Sequence, residues 1–203
     1  MDWKGVTVGE ALRRSAGLWP EDEFVVGMGE RLTFAEFDAR VDRLASGLMR
    51  LGVGRGDHVA CWLANSPWWL LTWLACCRIG ATVVSINTRY KTQEVDFILR
   101  QSDAKALVAM PRYWEIDYLA MIETLAPGFE AGTPGDLNVD GLPALKSVLL
   151  WGDERHPGTQ SLSQLMAEPA AAEALAAAEA AVRPEDPVVI IYTSGTTGVP
   201  KGA

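Results

Sequence analysis

Residues 188–202 have the sequence VVIIYTSGTTGVPKG, in which five apolar or aromatic residues precede a run of hydroxyl, glycine and lysine residues. The β-branched and aromatic opening predicts a buried strand over residues 188–192. Ligands bind at the carboxyl ends of parallel strands in α/β folds, and the polar run begins at such an end. Glycines let the backbone approach a ligand closely, and consecutive amides can converge on an anion. The stretch therefore predicts a phosphate-binding loop at the end of a buried strand.

The candidate ligand-binding residues of this loop fall into three chemical classes. Glycines would admit the ligand, hydroxyls would donate hydrogen bonds to phosphate oxygens, and one lysine would supply a positive point charge. Such groups position and neutralise a phosphate, and none of them is expected to act as a nucleophile or a general base. The predicted phosphate-binding residues are Thr193, Ser194, Gly195, Thr196, Thr197, Gly198 and Lys201.

The nearest general phosphate motif is the Walker A loop, G-x-x-x-x-G-K-[ST]. The spacing from Gly195 to Lys201 fits that motif. However, Pro200 stands where the motif has a glycine, and Gly202 stands where it has Ser or Thr. Proline also has no amide hydrogen to donate to a phosphate. The Walker A interpretation is therefore rejected, and a surface loop with an incidental lysine remains the simpler alternative.

Upstream of the loop, the hydrophobic periodicity alternates between the spacings of helices and strands. A capping box formed by Thr33 and Glu36 begins the first predicted helix. Ser66 and Pro67 supply the N-cap and first-turn proline of another helix. Strands that alternate with helices at this spacing are typical of a parallel sheet. The predicted fold class is therefore α/β, a layered parallel-rich sheet with helices on both faces, in one domain over residues 1–203.

Glycine- and proline-rich turns separate the predicted elements. The sequence predicts strands over residues 58–63, 82–86, 105–109, 145–150 and 188–192, and helices over residues 33–51, 68–79, 92–101, 113–125 and 170–182. A second capping box at Ser161 and Gln164 predicts one further helix start. Residues 127–143 hold four glycines and three prolines and are predicted to form a long exposed loop.

The composition of the 203-residue chain excludes several classes of protein. Its 49% hydrophobic and 22% charged residues are close to globular averages, which excludes a disordered or fibrous chain. A net charge of −8 argues against nucleic-acid binding, because that function needs clustered Lys and Arg. The longest apolar run, residues 68–77, is too short for a transmembrane helix, and the N-terminus lacks signal-peptide character. We therefore expect neither a nucleic-acid partner nor a transmembrane segment.

The cysteines and histidines carry no recognisable catalytic or metal-binding pattern. Cys61, Cys76 and Cys77 lack the spacing of a zinc site, and their odd number suits reduced thiols in the cytoplasm. His58 and His156 have no neighbouring pattern of a triad or metal site. We predict buried thiols, structural histidines and a cytoplasmic location.

Two further segments have a functional and a structural interpretation. Residues 87–91 follow a strand end, where a ligand could approach, but a turn capped by Asn87 with solvated charges is favoured. Trp68, Trp69 and Trp73 could line an acyl tunnel or a membrane-facing patch. Helical spacing places two of these rings on one face, which favours core packing.

Residues 192–202 resemble throughout the phosphate-loop signature of the adenylate-forming, or AMP-binding, superfamily. That superfamily includes acyl- and aryl-CoA synthetases, luciferases and the adenylation domains of peptide synthetases. The resemblance extends over residues 6–203 and is weakest across residues 127–143. The upstream segments that carry it, in the family's usual order, are 32–37 (LTFAEF), 51–60 (LGVGRGDHVA) and 80–87 (GATVVSIN).

The resemblance implies the amino-terminal subdomain of the adenylate-forming fold and an acyl-CoA synthetase activity. In that family a carboxylic acid reacts with ATP to give an acyl-adenylate, and the thiol of CoA then displaces AMP to form a thioester. By similarity, residues 193–201 would hold the β- and γ-phosphates together with Mg²⁺. Thr193 would be a hydroxyl ligand to phosphate and a candidate Mg²⁺-associated group, and Lys201 would neutralise charge. The implied substrates and cofactors are a carboxylic acid, ATP, Mg²⁺ and CoA, as in fatty acid metabolism.

The resemblance also implies parts that the family places later in the sequence than residue 203. These are the small carboxy-terminal domain with the catalytic lysine and most of the acyl pocket. We therefore expect a truncated chain that is inactive alone, whose full-length parent is the ligase. Two alternatives stay open at this point: an adenylation domain that loads a carrier-protein thiol, and a non-catalytic remnant.

Overall fold

The computed structural model describes residues 3–193 and 201–203. The helices are α1 (Val8–Leu18), α2 (Phe34–Arg50), α3 (Pro67–Ile79), α4 (Thr92–Gln101), α5 (Tyr118–Leu125), α6 (Leu162–Leu165) and α7 (Ala172–Ala181), with a 3₁₀ turn at Phe129–Ala131. The strands are β1 (Glu23–Gly27), β2 (Glu30–Thr33), β3 (His58–Trp62), β4 (Thr82–Ser85), β5 (Ala106–Ala109), β6 (Arg112–Tyr113), β7 (Ile116–Asp117), β8 (Ser147–Leu150), β9 (Thr159–Ser161), β10 (Val189–Thr193) and β11 (Lys201–Gly202).

Seven of these strands form one sheet in the order β11-β10-β4-β3-β5-β8-β9. Neighbours from β10 to β9 pair in parallel, and β11 pairs antiparallel with β10 at one edge. In the middle of the sheet, Val59 of β3 pairs with Val83 of β4 and with Ala106 of β5. The predicted α/β fold with a parallel-rich sheet is confirmed.

The helical connections leave β3 and β4 in opposite directions across the sheet. Helix α3 links β3 to β4, whereas α4 links β4 to β5, which lies on the other side of β3. Because parallel crossovers are right-handed, α3 and α4 cover opposite faces. Helix α3 packs against α1, α2 and α7, and α4 packs against α5, so helices cover both faces as predicted. The diverging connections leave room for a crevice at the carboxyl ends of β3 and β4.

Local capping signals fix the helix ends that the sequence predicts. Thr33 Oγ1 accepts a hydrogen bond from the Glu36 amide at 3.2 Å, and Glu36 Oε2 accepts one from the Thr33 amide at 2.9 Å. Helix α3 follows the predicted N-cap Ser66 and is capped at its carboxyl end by Gly80, which has a φ of 72°. A Cβ at Gly80 would also lie 2.8 Å from Cγ of Arg55, so both the backbone conformation and the available space favour glycine.

The structure adds a helix and a hairpin before the first predicted helix. Helix α1 is capped by Thr7, whose Oγ1 accepts a hydrogen bond from the Glu10 amide at 3.2 Å. It buries Leu12 and Ala16 and packs against α2 and α3, and β1 and β2 form the antiparallel hairpin. Helix α1 is as amphipathic as the predicted helix α4, so the sequence prediction missed it despite a local signal.

The predicted helix over residues 113–125 is wrong at its start. Helix α5 begins at Tyr118, and the residues before it form the two-stranded ribbon β6–β7. Trp114 at the tip of this ribbon has a φ of 52°, a left-handed conformation that is incompatible with a helix there. Asp117 then caps α5 by accepting a hydrogen bond from the Ala120 amide at 3.0 Å.

Residues 127–143 are not the exposed loop that their glycine and proline content predicts. The segment contains the 3₁₀ turn, and it buries four apolar side chains, those of Phe129, Leu137, Val139 and Leu142. Turn-forming residues predict where a chain bends. They do not indicate whether the apolar side chains between the bends reach the core, and here those side chains do.

The three cysteines are free and buried, as predicted. Burial raises the pKa of Cys61 and of Cys77 to about 12 and also raises that of Cys76. The thiols therefore stay protonated at neutral pH. Across residues 3–193 and 201–203, no helix has both the length and the apolar character that a bilayer crossing requires.

Candidate functional site

A crevice of about 460 Å³ opens at the carboxyl ends of β3, β4 and β10. Three aromatic rings line it, from Trp69, Tyr113 and Tyr192. Its polar lining consists of amides and hydroxyls, with Asn65 and Asn87 among them, and no charged side chain lines it within the described residues. The crevice therefore suits the uncharged parts of a ligand better than a polyphosphate.

Two buried aromatic donors fix the loop that follows β4 on the wall of the crevice. Trp62 Nε1 donates a hydrogen bond to the Asn87 carbonyl at 3.1 Å, and the Tyr118 hydroxyl donates one to the Thr88 carbonyl at 2.8 Å. The Trp62 and Tyr118 rings meet edge to face, with centroids 4.5 Å apart. Burial raises the pKa of Tyr118, so its hydroxyl keeps the proton that it donates. This wall is therefore held by the core behind it.

The strand β10 brings two predicted phosphate-binding residues together at its carboxyl end. Thr193 and Lys201 are directly opposite each other in the β10–β11 pair, and Thr193 Oγ1 lies 3.5 Å from the Lys201 carbonyl oxygen. Both residues are exposed. Tyr192, one residue earlier, lines the crevice. The other predicted phosphate-binding residues lie outside the described residues: Ser194, Gly195, Thr196, Thr197 and Gly198.

Three side chains donate hydrogen bonds to backbone carbonyls at the two ends of β10. Trp73 Nε1 donates to the Val188 carbonyl at 3.1 Å. Thr82 Oγ1 donates to the Pro187 carbonyl at 3.0 Å. The Tyr90 hydroxyl donates to the Tyr192 carbonyl at 3.3 Å. The sequence pattern gives no signal for these contacts, because each donor lies more than 100 residues from its acceptor.

An exposed ion pair fixes the chain just before β10. The Arg55 guanidinium donates two hydrogen bonds to the Asp186 carboxylate, at 2.8 and 2.6 Å. These bonds lower the pKa of Asp186 to about 2, with help from a hydrogen bond that the Arg183 amide donates. The ion pair is therefore present over the whole neutral pH range.

A buried ionic cluster lies on the face of the sheet that α3 covers. Arg78 is fully buried, and its guanidinium lies 2.5 Å from Asp38 Oδ1 and 3.1 Å from Asp42 Oδ1. Glu179 of α7 lies 3.6 Å from Arg78. Arg13 of α1 forms ion pairs with the same three carboxylates. The cluster ties four helices together, including the helix that leads into β10.

The remaining sequence candidates lie mostly in structural roles. His58 Nδ1 donates to the Ser102 carbonyl at 2.6 Å, and neither His58 nor His156 lines the crevice. Asn87 Oδ1 accepts a hydrogen bond from the Arg89 amide at 2.9 Å, which is the predicted capped turn. Asn87 also lines the crevice, a position that the turn pattern alone does not indicate.

The three clustered tryptophans are half-buried and pack against the core, as predicted. Trp69 has a second role, because it also lines the crevice. Asn65 and Tyr113 belong to the crevice as well and carry no recognisable sequence signal. They reach the site from the β3–α3 connection and from the β6–β7 ribbon, so only the folded chain brings them together.

Comparisons with known proteins cover nearly the whole chain. Residues 12–203 match the sequence model of a family described as AMP-binding enzyme. The chain is 36% identical over 200 residues to YngI of Bacillus subtilis (strain 168), which is named as an inferred acyl-CoA synthetase. That match covers 97% of this chain and 36% of YngI. The human medium-chain acyl-CoA ligase ACSF2, mitochondrial, is 36% identical over 202 residues, covering 97% of this chain and 33% of ACSF2.

A solved structure of a relative supports the same fold. The long-chain-fatty-acid-CoA ligase FadD1 from Archaeoglobus fulgidus superposes with a TM-score of 0.70 at 26% identity, covering 100% of this chain and 37% of FadD1. This chain spans about a third of the length of the curated relatives that it matches.

Proposed function

The chain belongs to the AMP-binding enzyme family, and from that membership we propose that it forms the phosphate-binding part of an ATP-dependent carboxylate–CoA ligase. In the first step a carboxylate oxygen of the substrate attacks the α-phosphorus of ATP, and the bond to pyrophosphate breaks to leave an acyl-adenylate. In the second step the thiol of CoA loses its proton and attacks the acyl carbonyl, which releases AMP and forms a thioester.

The observation that carries this proposal is the pairing of Thr193 with Lys201 at the carboxyl end of β10, next to the crevice. Both side chains are exposed, so a hydroxyl donor and an ammonium group are accessible to a polyphosphate. The net charge of −8 repels ATP at long range, so binding needs a local cation of this kind.

We propose that the loop after β10 holds the β- and γ-phosphates while they become pyrophosphate. Its hydroxyls and amides would donate hydrogen bonds, and its lysine would balance the charge that develops on the leaving group. The residues proposed for this role are Thr193, Ser194, Gly195, Thr196, Thr197, Gly198 and Lys201.

The described residues fit Mg²⁺ only as a companion of the phosphates. Across residues 3–193 and 201–203, no group of three or more His, Cys, Asp or Glu side chains could hold a metal ion. The exposed hydroxyl of Thr193 is a suitable single oxygen ligand. When bound with ATP, Mg²⁺ would neutralise phosphate charge, and Thr193 would orient the phosphate that carries it.

The uncharged crevice complements the charged loop. Its aromatic and amide lining suits the body of the carboxylic acid or the arm of the thiol substrate, rather than the phosphates. The names of YngI and ACSF2 both describe acyl-CoA ligation, which favours CoA as the thiol and a fatty acid as the carboxylate. The buried, unpaired cysteines are consistent with a reducing compartment, and we propose the cytoplasm.

The test uses the full-length gene product that carries this chain, supplied with ATP, Mg²⁺, CoA and a panel of aliphatic and aromatic acids. We expect AMP to form only when both a carboxylic acid and CoA are present. Lys201→Ala should slow the first half-reaction, measured as carboxylate-dependent pyrophosphate exchange, by about 10- to 100-fold, because a charge-assisted phosphate contact is lost.

Arg31→Ala is the matched control, since it removes an exposed cation on the separate β1–β2 hairpin. It should leave the exchange rate unchanged. If acyl transfer fails with CoA but proceeds with a phosphopantetheine-bearing carrier protein, then the carrier protein, and not CoA, is the acceptor. Absence of carboxylate-dependent pyrophosphate exchange with every acid would contradict the proposed ligase.

A further inference from the structure

Among the described residues, little apolar packing covers β10, the strand that carries the predicted phosphate loop. Within β10 only Tyr192 is buried, and Ile191 is 54% exposed. Every residue of β5 and of β8 is buried. Strand β10 also has a two-residue neighbour, β11, on its outer side. Among the described residues, hydrogen bonds therefore add to hydrophobic burial in placing β10.

Three side chains donate hydrogen bonds to backbone carbonyls at the two ends of β10. We name these donors the β10 clasp: Trp73, Thr82 and Tyr90. Their acceptors are the carbonyls of Val188, Pro187 and Tyr192. The hydrogen bonds of the clasp therefore lie just before the start of β10 and near its end. The donors come from three places, α3, β4 and the β4–α4 connection, so no single element supplies them.

The clasp uses acceptor capacity that the sheet leaves free. The Val188 carbonyl already accepts a ladder hydrogen bond from the Val83 amide at 3.3 Å, and Trp73 occupies its second lone pair. Pro187 has no amide hydrogen, so its carbonyl is the group through which its backbone can bond, and Thr82 takes it. Without Thr82, the Pro187 carbonyl would need water as its partner.

We propose that Trp73, Thr82 and Tyr90 are positioning residues for ATP binding, acting through the backbone of β10; this inference rests on the proposed function. Tyr90 bonds the carbonyl immediately before Thr193, so it fixes the peptide from which the predicted loop departs. Thr82 and Trp73 hold the two residues before the strand, which helps to fix the register of β10 against β4. A small displacement of a binding group weakens its contact with the ligand.

Two isosteric variants of the full-length gene product test the clasp. Thr82→Val and Tyr90→Phe each remove one hydroxyl and leave the side-chain volume almost unchanged. We expect each to raise the KM for ATP in pyrophosphate exchange about 3- to 10-fold, the size of effect that one neutral hydrogen bond supports. The kcat at saturating ATP should stay within about 2-fold, because no clasp residue touches the reacting atoms.

Thr72→Val is the matched control. Thr72 is as buried as Thr82, and its hydroxyl also donates to a backbone carbonyl, that of Trp68 at 2.8 Å, but this bond lies within α3. Its KM for ATP should equal that of the original protein. An equal rise in KM for Thr72→Val, or no rise for Thr82→Val and Tyr90→Phe, would overturn the clasp.

Hydrogen exchange gives a readout that does not depend on activity. Backbone amides of β10 should exchange several-fold faster in Thr82→Val and Tyr90→Phe, whereas those of β3 should not change. Unchanged exchange in β10 overturns the clasp even if the ligase is active. Faster exchange in a protein without ligase activity supports the clasp as a strand support, and then it is the proposed function that fails.

Discussion

Different forces hold the middle of the sheet and strand β10, which lies next to the edge strand β11. Strands β5 and β8 are buried along their full length, so apolar packing on both faces fixes them. Among the described residues, strand β10 is mostly half-exposed or exposed, and hydrogen bonds to carbonyls just before it and near its end, together with an ion pair beside it, take over part of that role. Directional polar contacts can therefore hold a strand whose last described residue, Thr193, stays exposed.

The largest effect that separates the two regions is expected from matched aliphatic truncations. Leu149→Ala in β8 removes a fully buried side chain and should lower the free energy of unfolding by about 3–5 kcal/mol. Ile191→Ala in β10 removes a side chain that is 54% exposed and should cost about 1 kcal/mol or less. Urea unfolding followed by circular dichroism measures both. Equal losses would contradict the division between the packed centre of the sheet and strand β10.

The next effect concerns the buried ionic cluster that holds α7, the helix leading into β10. Arg78→Ala would leave Asp38 and Asp42 with only Arg13 as a counter-charge. Loss of one partner from a buried ion pair costs about 3–5 kcal/mol of folding free energy. Because Arg13 remains, we expect the free energy of unfolding to fall by about 3 kcal/mol.

Urea unfolding of Arg78→Ala beside Arg31→Ala measures that difference. Arg31 pairs with Glu23 on the exposed hairpin, and such a surface pair contributes at most about 1 kcal/mol. If the two variants lose the same stability, the ionic cluster does not hold α7 against the helices of the core.

The smallest effect is expected from the exposed ion pair before β10. The pKa of Asp186, about 2, lies below the value of about 3.9 for an Asp in the unfolded chain. The ion pair with Arg55 therefore stabilises the folded chain above about pH 4. That stabilisation is lost as the pH falls through about 2, where the Asp186 carboxylate takes up a proton. The urea midpoint of Asp186→Asn should therefore lie below that of the original protein at pH 6 and converge with it near pH 2. A gap that is constant with pH would exclude this origin.

The parts of the fold that depend on near neighbours could be predicted well from the sequence. The predicted helix over residues 92–101 coincides with α4, and both capping boxes form as the pattern indicates. Their hydrogen bonds join residues three apart, so a short window of sequence contains both partners. The error at the start of α5 has a local origin too. Trp114 has a left-handed backbone, but it is not a glycine, so the sequence gives no sign of a turn there.

The candidate site could be predicted only in part. The run of hydroxyl, glycine and lysine residues after β10 indicates phosphate chemistry, which stays a prediction, and the structure pairs Thr193 with Lys201 at the strand end. The crevice beside it was not predicted. Asn65 comes from the β3–α3 connection, Tyr113 from β6 and Tyr192 from β10, and no spacing in the sequence relates them.

Local sequence patterns predict the α/β alternation, the parallel-rich sheet and the candidate phosphate segment, because periodicity, caps and glycine spacing act over a few residues. How the strand before that segment is held depends on contacts that form only in the folded chain. The donors Trp73, Thr82 and Tyr90 lie 115, 105 and 102 residues from their acceptors. A hydrogen bond over such a distance depends on where two elements lie after the core has packed, and no local pattern encodes that position.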